Sequence, residues 1–252
     1  MQNKYTKEIM ISNKDSSKEK YYVANLQALI SKHQLIVVDD FYPEPDIVRE
    51  QALNNSFFQY SPPDPSQVQL SDESAEPGMP TWLSSALKTY WGKPVKNPQQ
   101  GYRYNSTEVV RLIESSINQK IDMNTWNTMG DWWNGAFHIQ FEDKNPRAIH
   151  HHFKTGDIEK QGWSGLVYLS KNAPKSSGTS IWIENSTGLC TSGKGPFFRK
   201  DSENFTKILE VENIYNRLVL FRENILHQAE KGFGNTTDNG RLTQTFFFEV
   251  LS

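Results

Sequence analysis

The chain is predicted to be mainly β, a double-sheet jelly roll with flanking helices, and three observations predict it. The second half is a series of short apolar runs: Ala136 to Asp143, Ala148 to Phe153, Gly162 to Leu169, Thr179 to Glu184, Arg217 to Arg222 and Leu242 to Val250. Turn formers separate them, including Pro174, Gly178, Gly188, Gly193-Lys194-Gly195 and Asp238-Asn239-Gly240. Aromatic residues make up 12% of the chain, with 7 Trp and 14 Phe, which favours strands around a deep cavity over a helical bundle.

The elements follow in order. Residues 1–20 alternate lysines with acids and serines and read as a weakly ordered tail, leaving 21–252 as a single domain. Tyr21 to Ser31 suits a short helix and Leu35 to Asp39 a strand. A turn through Pro43 and Pro45 leads to Asp46, placed to cap a helix running to about Asn54. Prolines and polar residues from Ser61 to Pro80 predict a long loop, a candidate substrate cover. Thr81 to Tyr90 and Ser106 to Gln119 read as helices, the latter with Leu112, Ile113 and Ile117 at apolar spacing. Trp126 to Trp133 reads as a packed turn, and Asn185 to Lys207 as a second long loop at the cavity mouth. The helical support region thus spans about 40–130 and the core sandwich about 131–252.

Composition narrows the function. Formal net charge is −2 and the basic residues are scattered, which disfavours nucleic acid as a partner, since a non-specific binder carries a basic stripe. No stretch approaches the roughly 18 apolar residues of a membrane span. The opening Met1-Gln2-Asn3-Lys4-Tyr5 lacks a secretory apolar segment, so a soluble, cytoplasmic protein is expected. With Cys190 as the single cysteine, no intrachain disulfide forms, and no low-pKa context marks its thiol as a nucleophile.

The chemistry centres on His150-His151-His152 and His227. On a strand, His150 and His152 project to one face while His151 points to the other, so one strand supplies two donors. A third donor must come from a strand adjacent in space and distant in sequence, and His227, at the end of the segment from Ile214 to Ile225, is placed for it. Two histidines and a third donor on one side, with open positions on the other, suit a ferrous ion that activates oxygen. Arg241 opens a very apolar strand, where its charge needs a partner. A guanidinium is a planar, permanently charged fork that grips a carboxylate bidentately, and Thr243, two residues on, adds a hydroxyl on the same face. His138 and Gln140 share another strand face, and Tyr168 and Trp182 serve either the core or a ligand pocket.

These motifs resemble the Fe(II)/2-oxoglutarate-dependent oxygenase superfamily, in particular its prolyl-hydroxylase-like and phage-type members. The pattern there is His-x-Asp, a distal His and Arg-x-Ser/Thr, and the order of the pieces from Leu35 to Phe248 is similar. The resemblance implies a double-stranded β-helix of cupin type. It implies Fe(II) at His150, His152 and His227, and 2-oxoglutarate anchored by Arg241 and Thr243, with Tyr168 and Gln140 lining its pocket. It further implies dioxygen as co-reactant and hydroxylation of an unactivated C–H bond on a small polar substrate or amino-acid side chain.

One departure stands out: His152 occupies the Asp position. Three readings remain open. The site is a three-histidine centre; or Asp157, beyond the Thr155-Gly156 turn, supplies a carboxylate; or the position is vacant and admits water or halide, as in halogenating members. A non-catalytic jelly-roll protein binding a metal or ligand is the alternative from another class. A three-histidine dioxygenase without keto acid is a further one, against which Arg241-x-Thr243 speaks.

Overall fold

The structure is a computed structural model and describes residues 34–54, 58–59, 82–84, 106–128, 134–142, 148–152, 162–191, 197–199 and 202–251. The expected tail, the helix at Tyr21 to Ser31, the loop from Ser61 to Pro80 and Asp157 lie outside them. Among the described residues, twelve strands form two antiparallel sheets. They are β1 (Leu35–Val38), β2 (Phe58–Gln59), β3 (Trp82–Ser84), β4 (Phe137–Gln140), β5 (Ile149–His151) and β6 (Trp163–Tyr168), followed by β7 (Thr179–Glu184), β8 (Phe197–Arg199), β9 (Phe205–Val211), β10 (Leu218–Arg222), β11 (His227–Ala229) and β12 (Arg241–Phe248). The larger sheet runs β1-β10-β6-β12-β4-β3-β2 and the smaller β8-β5-β11-β7-β9.

From β4 onward the chain crosses repeatedly between the sheets: β4, β6, β10 and β12 lie in the larger, β5, β7, β9 and β11 in the smaller. This is the double-stranded β-helix expected from the sequence. Its consequence is that strands far apart in sequence become hydrogen-bonded neighbours, such as β5 with β11 and β6 with β12.

Strand alternation sorts the larger sheet into two faces. Phe137, Ile139, Trp163, Val167, Leu218, Leu220, Leu242, Phe246 and Phe248 cluster with the helices α1 (Pro45–Leu53), α2 (Thr107–Ile117) and α3 (Met123–Thr128). Tyr168, Val219 and Phe221 face the smaller sheet and pack with its Ile181 and Ile183. Helix α2 forms as read: the Ser106 hydroxyl accepts from the Val109 amide, Asn118 closes the end in the left-handed region, and Val109, Ile113 and Ile117 bury one stripe. Among the described residues no helix is long and apolar enough to cross a membrane.

Four expectations are corrected. Asp46 does not cap α1; Pro45 takes the start of the helix, Glu44 precedes it without a side-chain capping bond, and Asp46 accepts instead from the Tyr215 hydroxyl. Trp82–Ser84, read as helical, is a strand that pairs with β4. Trp126 lies in a helix rather than a turn, stacking on Phe246 at 5.9 Å and touching Phe248 at 5.8 Å. The Asn185 to Lys207 loop contains β8 and the start of β9. Strand β9 escaped the sequence reading because its pairing with β7 skips a residue at Ile208, so buried Ile208 and Leu209 fall side by side and break the two-residue period.

One buried side chain ties the front of the chain to the sandwich. Asn216 has φ 63°, and its amide accepts from the Tyr42 backbone N–H at 2.9 Å and donates to the Tyr42 carbonyl at 2.9 Å. Asn216→Ala therefore strands two buried backbone groups and forces alanine into the left-handed region. We expect it to lose about 3 kcal/mol in urea unfolding, against about 2 kcal/mol for Asn216→Gly, which keeps the backbone relaxed. An Asn216→Ala midpoint equal to wild type overturns this account.

Candidate metal centre

The site is assembled by one backbone pairing. In the β5 and β11 ladder, His227 stands directly opposite His150. Just past the end of β5, the His152 amide donates to the Glu223 carbonyl at 2.8 Å, which keeps the alternation running, so His150 and His152 share a face as the two-residue spacing predicted. The ring centroids of His150, His152 and His227 lie 4.3 to 4.9 Å apart, and one candidate ligand nitrogen from each falls within 4.8 Å of the others. His151 points away, in register with Phe197 of β8.

The backbone settles the tautomers of two rings. His150 Nδ1 lies 2.9 Å from the Ala148 carbonyl and His227 Nδ1 lies 2.8 Å from the Ile225 carbonyl. A carbonyl only accepts, so each Nδ1 carries the hydrogen and each Nε2 keeps its lone pair. Burial reinforces neutrality. It pushes His150 down to about 4, and pushes His227 well below its ordinary value, with the neighbouring His150 and His152 acting in the same direction. His227 Nε2 faces His152 Nε2 at 3.1 Å. Two imidazole nitrogens, each about 2.1 Å from one ion on adjacent octahedral positions, stand about 3.0 Å apart, so this pair fits a shared metal. The donor set is chemically right for iron, zinc or copper.

Aromatic rings wall the group on the side of the larger sheet: Phe221 lies 4.3 Å from His227 and Phe247 lies 5.1 Å from His152. Sequence reasoning missed both, because each sits inside an unbroken apolar run. Strand parity was the available signal, since Phe247 lies on the Arg241 and Thr243 face of β12.

The four residues expected to anchor a keto acid also come together. Arg241 pairs in register with Gln140, and Thr243 with Tyr168 and His138. Arg241 is 3% exposed, donates from Nε to the Ser177 carbonyl at 2.6 Å and from Nη2 to the Gly178 carbonyl at 2.9 Å, and lies over the Tyr168 ring at 5.6 Å. Its Nη1 donates to Gln140 Oε1 at 3.4 Å. The charge expected to meet a ligand is thus also braced by protein carbonyls, which no sequence pattern encodes. The Tyr168 hydroxyl donates to Thr179 Oγ1 at 2.7 Å. Thr179 lies opposite Ala229 and Ile181 opposite His227, so one step of about 7 Å along β7 links the anchor group to the histidines. Cys190 lies outside this chemistry, its thiol pushed up to about 11 by burial.

A family described as one of unknown function, DUF6445, matches residues 191–248, the segment that holds His227, Arg241 and Thr243. No curated protein matches the chain. Three solved structures illustrate its likenesses. HygX from Streptomyces hygroscopicus, with nickel, 2-oxoglutarate and hygromycin B bound, is 11% identical over 90% of this chain and 86% of its own, with a TM-score of 0.44. The epimerase SnoN, in complex with Fe3+, alpha ketoglutarate and nogalamycin RO, is 12% identical over 93% and 84%, with a TM-score of 0.47. A prolyl-4-hydroxylase from Pseudomonas putida is 14% identical over 92% and 100%, with a TM-score of 0.39.

The buried polar face of β4 yields a pH prediction. Burial pushes His138 down to about 3, so it stays neutral in the folded protein while the unfolded chain protonates near its ordinary 6.5. Its contribution is present in full above pH 6.5 and is lost as pH falls from 6.5 toward 3. Between pH 7 and 5 this amounts to roughly 2 kcal/mol. Urea unfolding of wild type should show a decline larger by that amount than His138→Gln; parallel pH dependences would rule the assignment out.

Proposed function

We propose that the chain is a mononuclear non-haem iron enzyme that uses 2-oxoglutarate and dioxygen to hydroxylate an unactivated C–H bond of a small polar molecule or an amino-acid side chain. The convergence of His150, His152 and His227, with the lone pairs of His150 and His227 set by backbone carbonyls, carries the reading. In it these three residues hold Fe(II). The iron and keto acid, when bound, supply the oxidising power that no side chain in the site possesses.

The protein's own part is orientation, charge and exclusion of water. The Ala148 and Ile225 carbonyls fix the planes of two imidazoles, the role that outer hydrogen bonds play for metal-bound histidines generally. Arg241 and Thr243 provide a charged fork and a hydroxyl for the far carboxylate of the keto acid, with Tyr168 beneath the guanidinium and Gln140 beside it. Phe221 and Phe247 keep the side of the site toward the larger sheet apolar. The position of His152 within the group supports a three-histidine centre over a vacant, halide-accepting position. Three neutral donors leave the complex one positive unit richer than a centre with a carboxylate.

The carbonyl contacts of Arg241 favour a second reading, a metal-binding jelly roll in which this arginine is a strut between β12 and the turn before β7. Anaerobic titration with Fe(II) and 2-oxoglutarate separates the two, read by the metal-to-ligand charge-transfer band in visible absorption. We expect a band in wild type and in Asp157→Ala, and none in His227→Ala or His152→Ala. In Arg241→Ala, keto-acid affinity should fall about 10- to 100-fold, the worth of a charge-assisted bidentate contact. Iron binding without any band leaves the second reading; loss of iron in Asp157→Ala but not in His152→Ala makes the carboxylate the third ligand.

A second prediction concerns the turn that carries the arginine's acceptors. A Cβ built on Gly178 overlaps the Val211 carbonyl oxygen, so Gly178→Ala must shift the turn. Its keto-acid affinity should drop at least about tenfold while Fe(II) affinity stays within about twofold of wild type, both read in the same titration. Unchanged keto-acid affinity separates the turn from the anchor.

A further inference from the structure

Strand β6 carries a polar side chain that neither the fold nor the proposed site uses. Ser164 is 1% exposed, and its hydroxyl oxygen is buried without a hydrogen-bond partner among the described residues. Alternation along β6 places Ser164 on the face of Leu166 and Tyr168, toward the smaller sheet, and Trp163 and Val167 on the opposite face, among the residues that pack with the helices. Its cross-strand neighbours are Phe221 on β10 and Phe247 on β12, with Cβ atoms about 5 Å from its own. These are the two rings that touch His227 and His152. Ser164 is therefore the middle of a row, Phe221-Ser164-Phe247, laid across the larger sheet in front of the histidines.

Three other hydroxyls of the inter-sheet space, those of Tyr168, Thr179 and Thr245, have partners. Thr179 Oγ1 accepts from the Tyr168 hydroxyl, and Thr245 Oγ1 lies 3.0 Å from His138 Nε2. Burying a hydroxyl between two phenyl rings is unfavourable unless something in the cavity bonds to it. The metal-site reading names what that is. Three imidazoles would bring no negative charge to a divalent ion held there, so an anion completing its coordination would be favoured, and the Phe221-Ser164-Phe247 row faces those histidines.

We propose that Ser164 is the hydrogen-bond donor to a small anionic ligand coordinated at the three-histidine centre. The inference rests on the reading of His150, His152 and His227 as metal ligands. The serine O–H donates to the anion, and the flanking rings exclude the water that would compete for that bond.

Cobalt(II) and azide test it without recourse to turnover. Wild type and Ser164→Ala are loaded with cobalt, metal affinity is measured by titration, and azide is then added while the cobalt visible bands are followed. We expect equal cobalt affinity and an azide Kd about tenfold weaker in Ser164→Ala, the loss of one hydrogen bond to a charged acceptor. The thermal midpoint of the metal-free variant should equal or exceed that of wild type, since a partnerless hydroxyl has been removed. Equal azide affinities, or no azide binding to the wild-type cobalt protein, overturn the role of Ser164 and leave the metal site standing. A lower midpoint with unchanged azide affinity makes the serine structural and overturns it likewise. Failure of wild type to bind cobalt overturns the metal site and this inference together.

Discussion

The antiparallel pairing of His227 with His150 is the constraint on which the rest of the site depends. A ladder slipped by one residue would turn His227 to the opposite face of the smaller sheet and leave two histidines with no third. The register is held from both sides, because β11 pairs with β7 as well as β5, with Ile181 opposite His227 and Thr179 opposite Ala229. Ile181 and Ile183 are buried between the sheets, so a slip of β7 would expose them along with everything aligned to it. The hydrophobic effect thereby enforces the geometry of a polar cluster. The same argument holds for β12, whose register on β6 brings Thr243 to Tyr168 and Phe247 to Ser164.

Burial then sets the electrostatics. Imidazoles in this position cannot carry charge cheaply, and His150 and His227 are depressed mainly for that reason. Neutrality alone leaves each ring free to choose a tautomer; the Ala148 and Ile225 carbonyls, each two residues before the ring it holds, remove the choice. Ala148 immediately precedes β5, and Ile225, just before β11, is held by an isolated bridge to Thr191 and by its own amide donating to the Arg222 carbonyl. Lone pairs and side-chain directions therefore come from backbone within two residues of each ring.

The sequence disclosed the parts of the fold whose residues contrast with their surroundings. Strands β4, β6, β7, β10 and β12 stand out as largely apolar stretches between turn formers, and the histidine pair on β5, the distal histidine and the Arg-x-Thr element stand out by chemistry. Where contrast is absent, legibility stops. Leu218 to Phe221 is apolar throughout because both faces of its sheet are covered, one by helices and one by the smaller sheet, so periodicity gives no clue that Phe221 faces the histidines. Strand β11 is three residues long and begins at His227 itself, which hides it at the end of the preceding run. The acceptors of Arg241 are main-chain carbonyls at Ser177 and Gly178, groups every residue possesses and no sequence pattern marks.

Charge balance connects the separate observations. In the proposed reading, where His150, His152 and His227 would hold the ion, three neutral imidazoles bring it no negative charge, and the deficit would have to be met by whatever else coordinates. Arg241 adds a further permanent positive charge within the same inter-sheet space, braced by carbonyl dipoles that lower the cost of burying it without cancelling it. In the proposed reading a dianionic keto acid would answer both demands at once, with one end toward the three histidines and the other toward the Arg241 guanidinium. A centre so composed should hold its cosubstrate more tightly, relative to bare metal, than one whose own carboxylate already neutralises half the charge of the ion. In that reading the ratio of metal affinities with and without keto acid is the quantity on which His152 would act, and it would link the strand register at the histidines to the buried Arg241.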